Sequence, residues 1–513
     1  MLKNILLFLF FSFLLNFCYS NNVKITSIPT LINPSPVEKH VYIDFNLSWE
    51  NSWRNSSNYD AVWLFAKYKK NNGAWQQAYL DVNNSNYSIL NENGTVSQFE
   101  VGINNISGNN RGIGVYAYRA ANGTGNINWE NVRLKWNYGE NGVSNNDSVV
   151  VQVFAIEMVY VPQGAFWLGD GSSFSRFHAG NNTSSSFQVT NAPIQFGSTS
   201  GTLWALSAWD SPSGTLNASY PTGYNAFYCM KYGITQKQYV DFLNTLTRQQ
   251  QSQRTATDLS TSVTNVTNVY VMSATTSPYY RNGIRCDASV TANKPVVFYC
   301  DLNNNAVMNE SADGQFIACN YLSWADGIAY GAWAGLRPMT ETEYEKSCRG
   351  SAVPVSGEYA WGTANITGAT SITSPGATDE IANTGANCVF NNATGVQGPL
   401  RAGVFATSSS SREASGATVY GIMEMSGNLW GRVVSLGSTA GRTFTGNNGI
   451  GQLDAQGNAS IGNWPGTNAV GSGLRGGHWK GTNLNAKISA RDNGNYESSI
   501  RNEMFGFRLV RGH

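Results

Sequence analysis

Between Leu474-Arg475-Gly476-Gly477-His478-Trp479 and Phe505-Gly506-Phe507-Arg508-Leu509-Val510 the chain carries a long run of Asn, Ser, Asp, Lys and Tyr. An apolar-Arg-Gly-Gly opening and a Gly-Phe-Arg-Leu-Val close read as two strands of one sheet. The polar run between them is held at both ends, and a site is expected there. Other reactive side chains are spread thinly. The cysteines after Cys18 are Cys229, Cys286, Cys300, Cys319, Cys348 and Cys388, and the histidines are His40, His178, His478 and His513. No two cysteines stand in a Cys-x-x-Cys, and the histidines are scattered, which speaks against zinc. No Gly-x-Ser-x-Gly elbow sits on a strand-to-helix turn, so a hydrolase triad has no support. The carboxylates Asp326, Glu341 and Glu343 fall in helix first turns, where they read as capping groups rather than as an acid–base pair.

The composition sets limits on what positions these residues. At 513 residues the chain exceeds one ordinary core. Only 13% of residues are charged while 12% are aromatic, and Gly, Asn, Ser and Thr abound; this points to a loop-rich, largely β, extracellular protein. Lys plus Arg (33) and Asp plus Glu (32) leave a net charge of +1, no field for gathering phosphates, so nucleic acid is not an expected partner. Residues 1–20 read as a secretory signal peptide: Lys3, an apolar run over 5–17, and a cut after Ser20. A lipoprotein reading through Cys18 meets the bulky Phe17. No later run is long enough for a membrane span, so a secreted or cell-surface location is expected. Six cysteines in an exported chain fit disulfides in any of fifteen pairings, and buried free thiols are the alternative.

Residues 21–154 show strand after strand: 41–49, 61–68, 112–118, 132–136 and 148–154, separated by Asn, Ser and Gly clusters. An all-β sandwich is expected, either a binding module or a spacer. A different segment follows, 155–513. Thr235 with Gln238, Ser323 with Asp326 and Thr340 with Glu343 predict three capped helices, the second ending at Gly335 and the third at Gly350. The aperiodic runs 249–278 and 364–418 read as functional or mobile loops.

Segments 156–169, 230–244, 322–330, 337–350, 420–430, 474–479 and 505–510, in that order, resemble the formylglycine-generating enzyme, or sulfatase-modifying factor, family. The resemblance implies an α+β, C-type-lectin-like formylglycine-generating-enzyme fold behind the all-β sandwich. Active members resemble one another in a cysteine pair shortly after the Gly-Gly, whose thiolates bind copper and activate oxygen to convert a sulfatase cysteine to formylglycine. Here Gly481 and Ala486 stand near those positions and no cysteine follows Cys388, so copper is not expected. Where the family commonly continues Glu-Trp after its Met-Ser-Gly-Asn-x-Trp segment, with that Glu serving a calcium ion, this chain has Gly431-Arg432. Glu424 and Asn387 remain as calcium candidates. The sulfoxide-synthase branch takes iron on three histidines, two of them on an added helical domain, which does not match this chain. Other relatives use the fold to display variable side chains. On that reading His478, Trp479, Lys480, Thr482, Asn483, Asn485, Asp492, Asn495 and Tyr496 form a surface for a protein or glycan ligand. The competing expectations are an oxidase with a rearranged site and a structural part of an extracellular assembly.

Overall fold

The run from Ala61 to Tyr68 is apolar at nearly every position, the pattern of a strand covered on both faces. In the computed structural model, which describes residues 22–173 and 175–513, the strand Asp60–Lys70 is buried from 60 through 68. Val62, Leu64, Ala66 and Tyr68 face one way, packing with Ile43, Leu47, Trp49, Trp129 and Leu134. Ala61, Trp63 and Phe65 face the other way, joining Tyr228, Met230, Ile328 and Trp333. The signal peptide expected at 1–20 lies outside the described residues.

This strand belongs to an eight-stranded sheet whose order is Arg337–Pro338, Leu509–Gly512, Phe227–Met230, Val149–Val161, Asp60–Lys70, Asn109–Arg119, Ser97–Ile106, with Trp75–Gln77 beside Asp60–Lys70. A five-stranded sheet built on His40–Arg54 and Gly123–Trp136 packs against its first face. Val149–Val161 pairs with Asp60–Lys70 from Val149↔Lys70 to Val159↔Asp60, and then with Phe227–Met230 through Met158↔Met230 to Val161↔Phe227. The position 154/155, where the sequence reading divides the chain, therefore lies inside one unbroken strand. The rest of the protein is small sheets, few helices and long connections, an α+β arrangement dominated by sheet. Among the described residues no helix is long and apolar enough to cross a membrane.

The three helices read from their caps are present, as Gln236–Leu243, Trp324–Ala334 and Glu341–Arg349, each opened by a complete capping box. Trp324–Ala334 ends on Gly335 in the left-handed conformation, and Gly327 lets it lie on the closing stretch: a Cβ there would come within 1.8 Å of the Phe507 ring. Its terminal carbonyls are capped from far away. Lys67 Nζ donates to Trp333 O at 2.7 Å, Trp63 Nε1 to Ala334 O at 2.8 Å, and Arg511 to Gly335 O. Lys67 also donates to Gln77 Oε1 (2.8 Å) and Gly451 O (2.7 Å), so three oxygens meet its ammonium. Burial pulls the Lys67 pKa well below the ordinary lysine value, and the helix C-terminus opposes that pull.

The disulfide expectation is corrected here. Cys229, Cys286, Cys300, Cys319, Cys348 and Cys388 are all free and buried, packed as small hydrophobes. An even count carries no information about separation; Cys286 and Cys300, on adjacent strands, are cross-strand partners of Phe298 and Ile284 instead of each other.

Trp63→Phe keeps a ring in the core but leaves the Ala334 carbonyl unmet. It should lower stability by about 1–3 kcal/mol in urea denaturation, and an unchanged midpoint would count against the cap.

Candidate functional site

Arg475, the arginine of Arg-Gly-Gly, is fully buried and sits between two carboxylates on the helix Glu341–Arg349. It reaches Glu341 Oε1 at 3.1 Å and Glu345 Oε1 at 2.7 Å, and donates to Ile488 O at 2.7 Å. Arg491 closes on Glu341 Oε2 at 3.1 Å, while Arg349 bridges Glu345 (3.1 Å) and Glu358. Burial would pull the Arg475 pKa down, but Glu345 and Glu341 hold it above its ordinary value. Glu341, read from sequence as a capping group, thus belongs to an ion network, while Asp326 and Glu343 do cap and also pair with Arg501 and Arg337.

The network fixes both ends of the segment 475–491, the first part of the polar run. Beyond Arg475 the chain turns through Gly476 (φ 91°) and Gly477 (φ 73°), where side chains would strike Met425 O and the Ala486 backbone. His478 then lies against the Trp430 ring, centroids 5.5 Å apart, and its Nδ1 accepts the Lys480 N–H at 3.3 Å, which leaves Nε2 to carry the proton. Burial, then the Lys480 charge, push its pKa down to about 4. Trp479, expected at the surface, is 1% exposed; its Nε1 donates to Glu503 O at 3.1 Å and its ring packs on Tyr280 at 5.1 Å. Lys480 is exposed, 3.6 Å from Glu503, and lies over the Tyr280 ring.

Thr482, Asn483 and Asn485 occupy the short turn that follows, Thr482 and Asn483 exposed and Asn485 half-buried. Asp492, Asn495 and Tyr496 go elsewhere. Asp492 accepts from Ser175 Oγ at 2.7 Å, Asn495 is half-buried, and Tyr496, 38% exposed, stands edge-on to Phe505. Of the nine residues Trp479 is therefore buried, and Asp492 and Tyr496 contact residues outside the turn at 478–485.

Sequence reading missed Tyr279, Tyr280 and Glu503. Tyr279 is 49% exposed and packs on Tyr280 at 4.3 Å, so Tyr279, Tyr280, Lys480 and Glu503 make one aromatic and charged surface. Tyr280, Arg281 and Tyr321 adopt positive φ (44°, 63°, 60°), strain that clusters where backbone is committed to a site. The adjacent tyrosines after Pro278, at the edge of an aperiodic run, were the available signal.

The residues present do not fit copper. Position 481 has no side chain, although a Cβ there would lie 2.8 Å from His478 Nε2, and position 486 offers a buried methyl. Burial raises every one of the six thiols, Cys286 to about 11 and Cys229 and Cys348 to about 12, so they are protonated near neutrality. The calcium candidates fit no better. Asn387 Oδ1 accepts the Thr367 N–H at 2.9 Å. Glu424 accepts the Gly403 N–H, is pushed up to about 7 by burial, and has Arg508, Arg401 and Lys231 as its charged neighbours.

The model of the sulfatase-modifying factor enzyme 1-like domain matches residues 150–513, and the chain belongs to that family. No curated protein matches the chain.

Removing Arg475 as Arg475→Met takes one of two arginine partners from each of two buried carboxylates and should cost about 3–5 kcal/mol in chemical denaturation. For His478, proton NMR should find the imidazole neutral down to about pH 4, with Lys480→Ala moving the transition upward. Because the folded value lies below the unfolded one of about 6.5, the unfolded chain takes the proton first. The His478 contribution to stability should therefore be intact above that value and fall with pH towards 4.

Proposed function

We propose that the protein is an exported binding protein, in which a formylglycine-generating-enzyme-like domain of C-type-lectin type has kept its scaffold and given up copper chemistry. The observation that carries this reading is the pair Gly481 and Ala486 where the resemblance asks for thiolates, in a chain whose remaining thiols are buried and protonated. The N-terminal strands are a β-sandwich joined to that domain through a shared sheet. The ligand surface is the patch of Tyr279, Tyr280, His478, Lys480 and Glu503, extended by Thr482, Asn483 and Asn485. Exposed tyrosine supplies rigid area at low entropic cost, and the amide and hydroxyl groups supply adaptable hydrogen bonds. A neutral His478 offers a donor rather than a charge. A protein or glycan suits this chemistry, since charged groups of both signs flank the aromatic rings.

Copper(I) titration of the purified chain should give no tight stoichiometric binding, and a peptide bearing a sulfatase motif should remain unconverted under oxygen. One tightly bound copper with oxygen-dependent conversion would sink the proposal. On glycan and extracellular-protein arrays, a ligand of the wild-type chain should lose about tenfold in affinity with Tyr279→Ala.

A further inference from the structure

The loop between the strand Phe298–Cys300 and the helix Trp324–Ala334 runs Asp301-Leu302-Asn303-Asn304-Asn305-Ala306-Val307 and continues through Glu310 to Asp313. Oxygen-bearing side chains at alternate positions are the pattern of a chain wrapped round a hard cation. In such a loop positions one, three and five give side-chain oxygens, the sixth takes a sharp turn usually left to glycine, and the seventh gives its carbonyl. The backbone here follows that course. Asp301 accepts the N–H groups of Asn305 (3.1 Å) and Ala306 (3.2 Å), Asn303 Oδ1 that of Asn305 (3.0 Å), and Asn305 Oδ1 that of Val307 (2.8 Å). Ala306 takes φ 62°.

The side chains converge. Asn303 Nδ2 (3.2 Å) and Asn305 Nδ2 both donate to Glu310 Oε2, and Asp313 Oδ2 accepts the Glu310 N–H at 2.6 Å. These contacts hold the loop together without requiring a ligand. Asp313 is the residue they leave unexplained: it is 0% exposed, and its Oδ1 has no hydrogen-bond partner. Asp313 is tied to Glu310, and Glu310 through the two Asn amides to the turn that Asp301 begins. Arg285 pairs with Asp301 Oδ2 at 2.7 Å, but among the described residues no Lys or Arg pairs with Glu310 or Asp313. A buried carboxylate oxygen with neither donor nor cation is costly.

We propose that this loop is a site for one calcium ion, with side-chain oxygens from Asp301, Asn303, Asn305, Glu310 and Asp313 and the Val307 carbonyl as its donors. Among the described residues no three His, Cys, Asp or Glu side chains form a compact metal cluster. Asp301, Glu310 and Asp313 therefore close on the ion only as it binds, and the amides and the main chain supply the other half of a mixed and flexible set that suits calcium better than magnesium. The loop is also tied towards the aromatic surface: Asp301 N donates to Gly283 O at 2.9 Å, and Tyr270 OH to Asn304 Oδ1 at 2.7 Å. A cation held here stiffens the segment that carries Tyr279 and Tyr280.

The test is calorimetric titration of calcium chloride into the full chain after dialysis against a chelator, with circular dichroism to verify folding. One saturable site per chain is expected. Asp313→Asn should weaken it tenfold or more, and Asn305→Ala, at an exposed position, should weaken it without disturbing the fold. Glu424→Gln should leave it unchanged. Absence of saturable binding at millimolar calcium would overturn the proposal, as would full affinity in folded Asn305→Ala and Asp313→Asn chains.

Discussion

The buried charge network beneath the Arg-Gly-Gly turn is the constraint on which the rest of the family domain depends. Glu341 and Glu345 stand one helical turn apart and point the same way. Together they meet Arg475 from a strand, Arg491 from the far end of the polar loop and Arg349 from their own helix. Charges this deep are tolerable only when every partner is in place, since the cost of desolvating each ion is recovered only through well-formed pairs. The network therefore sets the geometry of residues 475–491 largely independently of what the intervening side chains are. A loop anchored in this way can exchange its surface residues with little effect on the scaffold.

That separation of support from surface fits the proposed loss of the family chemistry. The glycines that let the chain turn after Arg475 are retained, and the histidine and tryptophan that follow are packed against Trp430 and Tyr280. On the proposed reading the soft ligands are lost at positions 481 and 486, where a hydrogen and a methyl stand, and Gly431-Arg432 is a second departure. The remaining thiols lie in apolar cores, where the neutral form is favoured, so they take no part at this surface.

Much of the architecture was legible in the sequence because it rests on local rules. Thr235, Ser323 and Thr340 announce helices through side chains three residues apart, and Gly335 ends one for a steric reason that acts at a single residue. The run from Ala61 to Tyr68 signals a strand with no solvent face, although it does not say what covers it. The features that escaped are those fixed by distant partners. Glu341 looks like any first-turn acid until Arg475 and Arg491 reach it from more than a hundred residues away. Trp479 reads as a displayed aromatic and is instead drawn under Tyr280, and Tyr280 becomes relevant only once the loop after Pro278 is folded back. The alternating oxygens after Asp301 were obscured because alanine occupies the position where glycine would mark the pattern.

The eight-stranded sheet draws its neighbours from widely separated parts of the chain, and Leu509–Gly512 lies inside it, between Phe227–Met230 and Arg337–Pro338. Arg508 and Arg511 fasten that strand by side-chain bonds to Met230, Met423 and Gly335. A cut in either long connection, 249–278 beyond its helix Arg248–Arg254 or 364–418 with its short strands, would thus fall between segments that remain woven into the same sheet. The two pieces would be held by internal strands rather than by a surface contact, and peptide-bond continuity through those loops is not what keeps the body whole. Such a protein can be nicked by a protease and still present the same face.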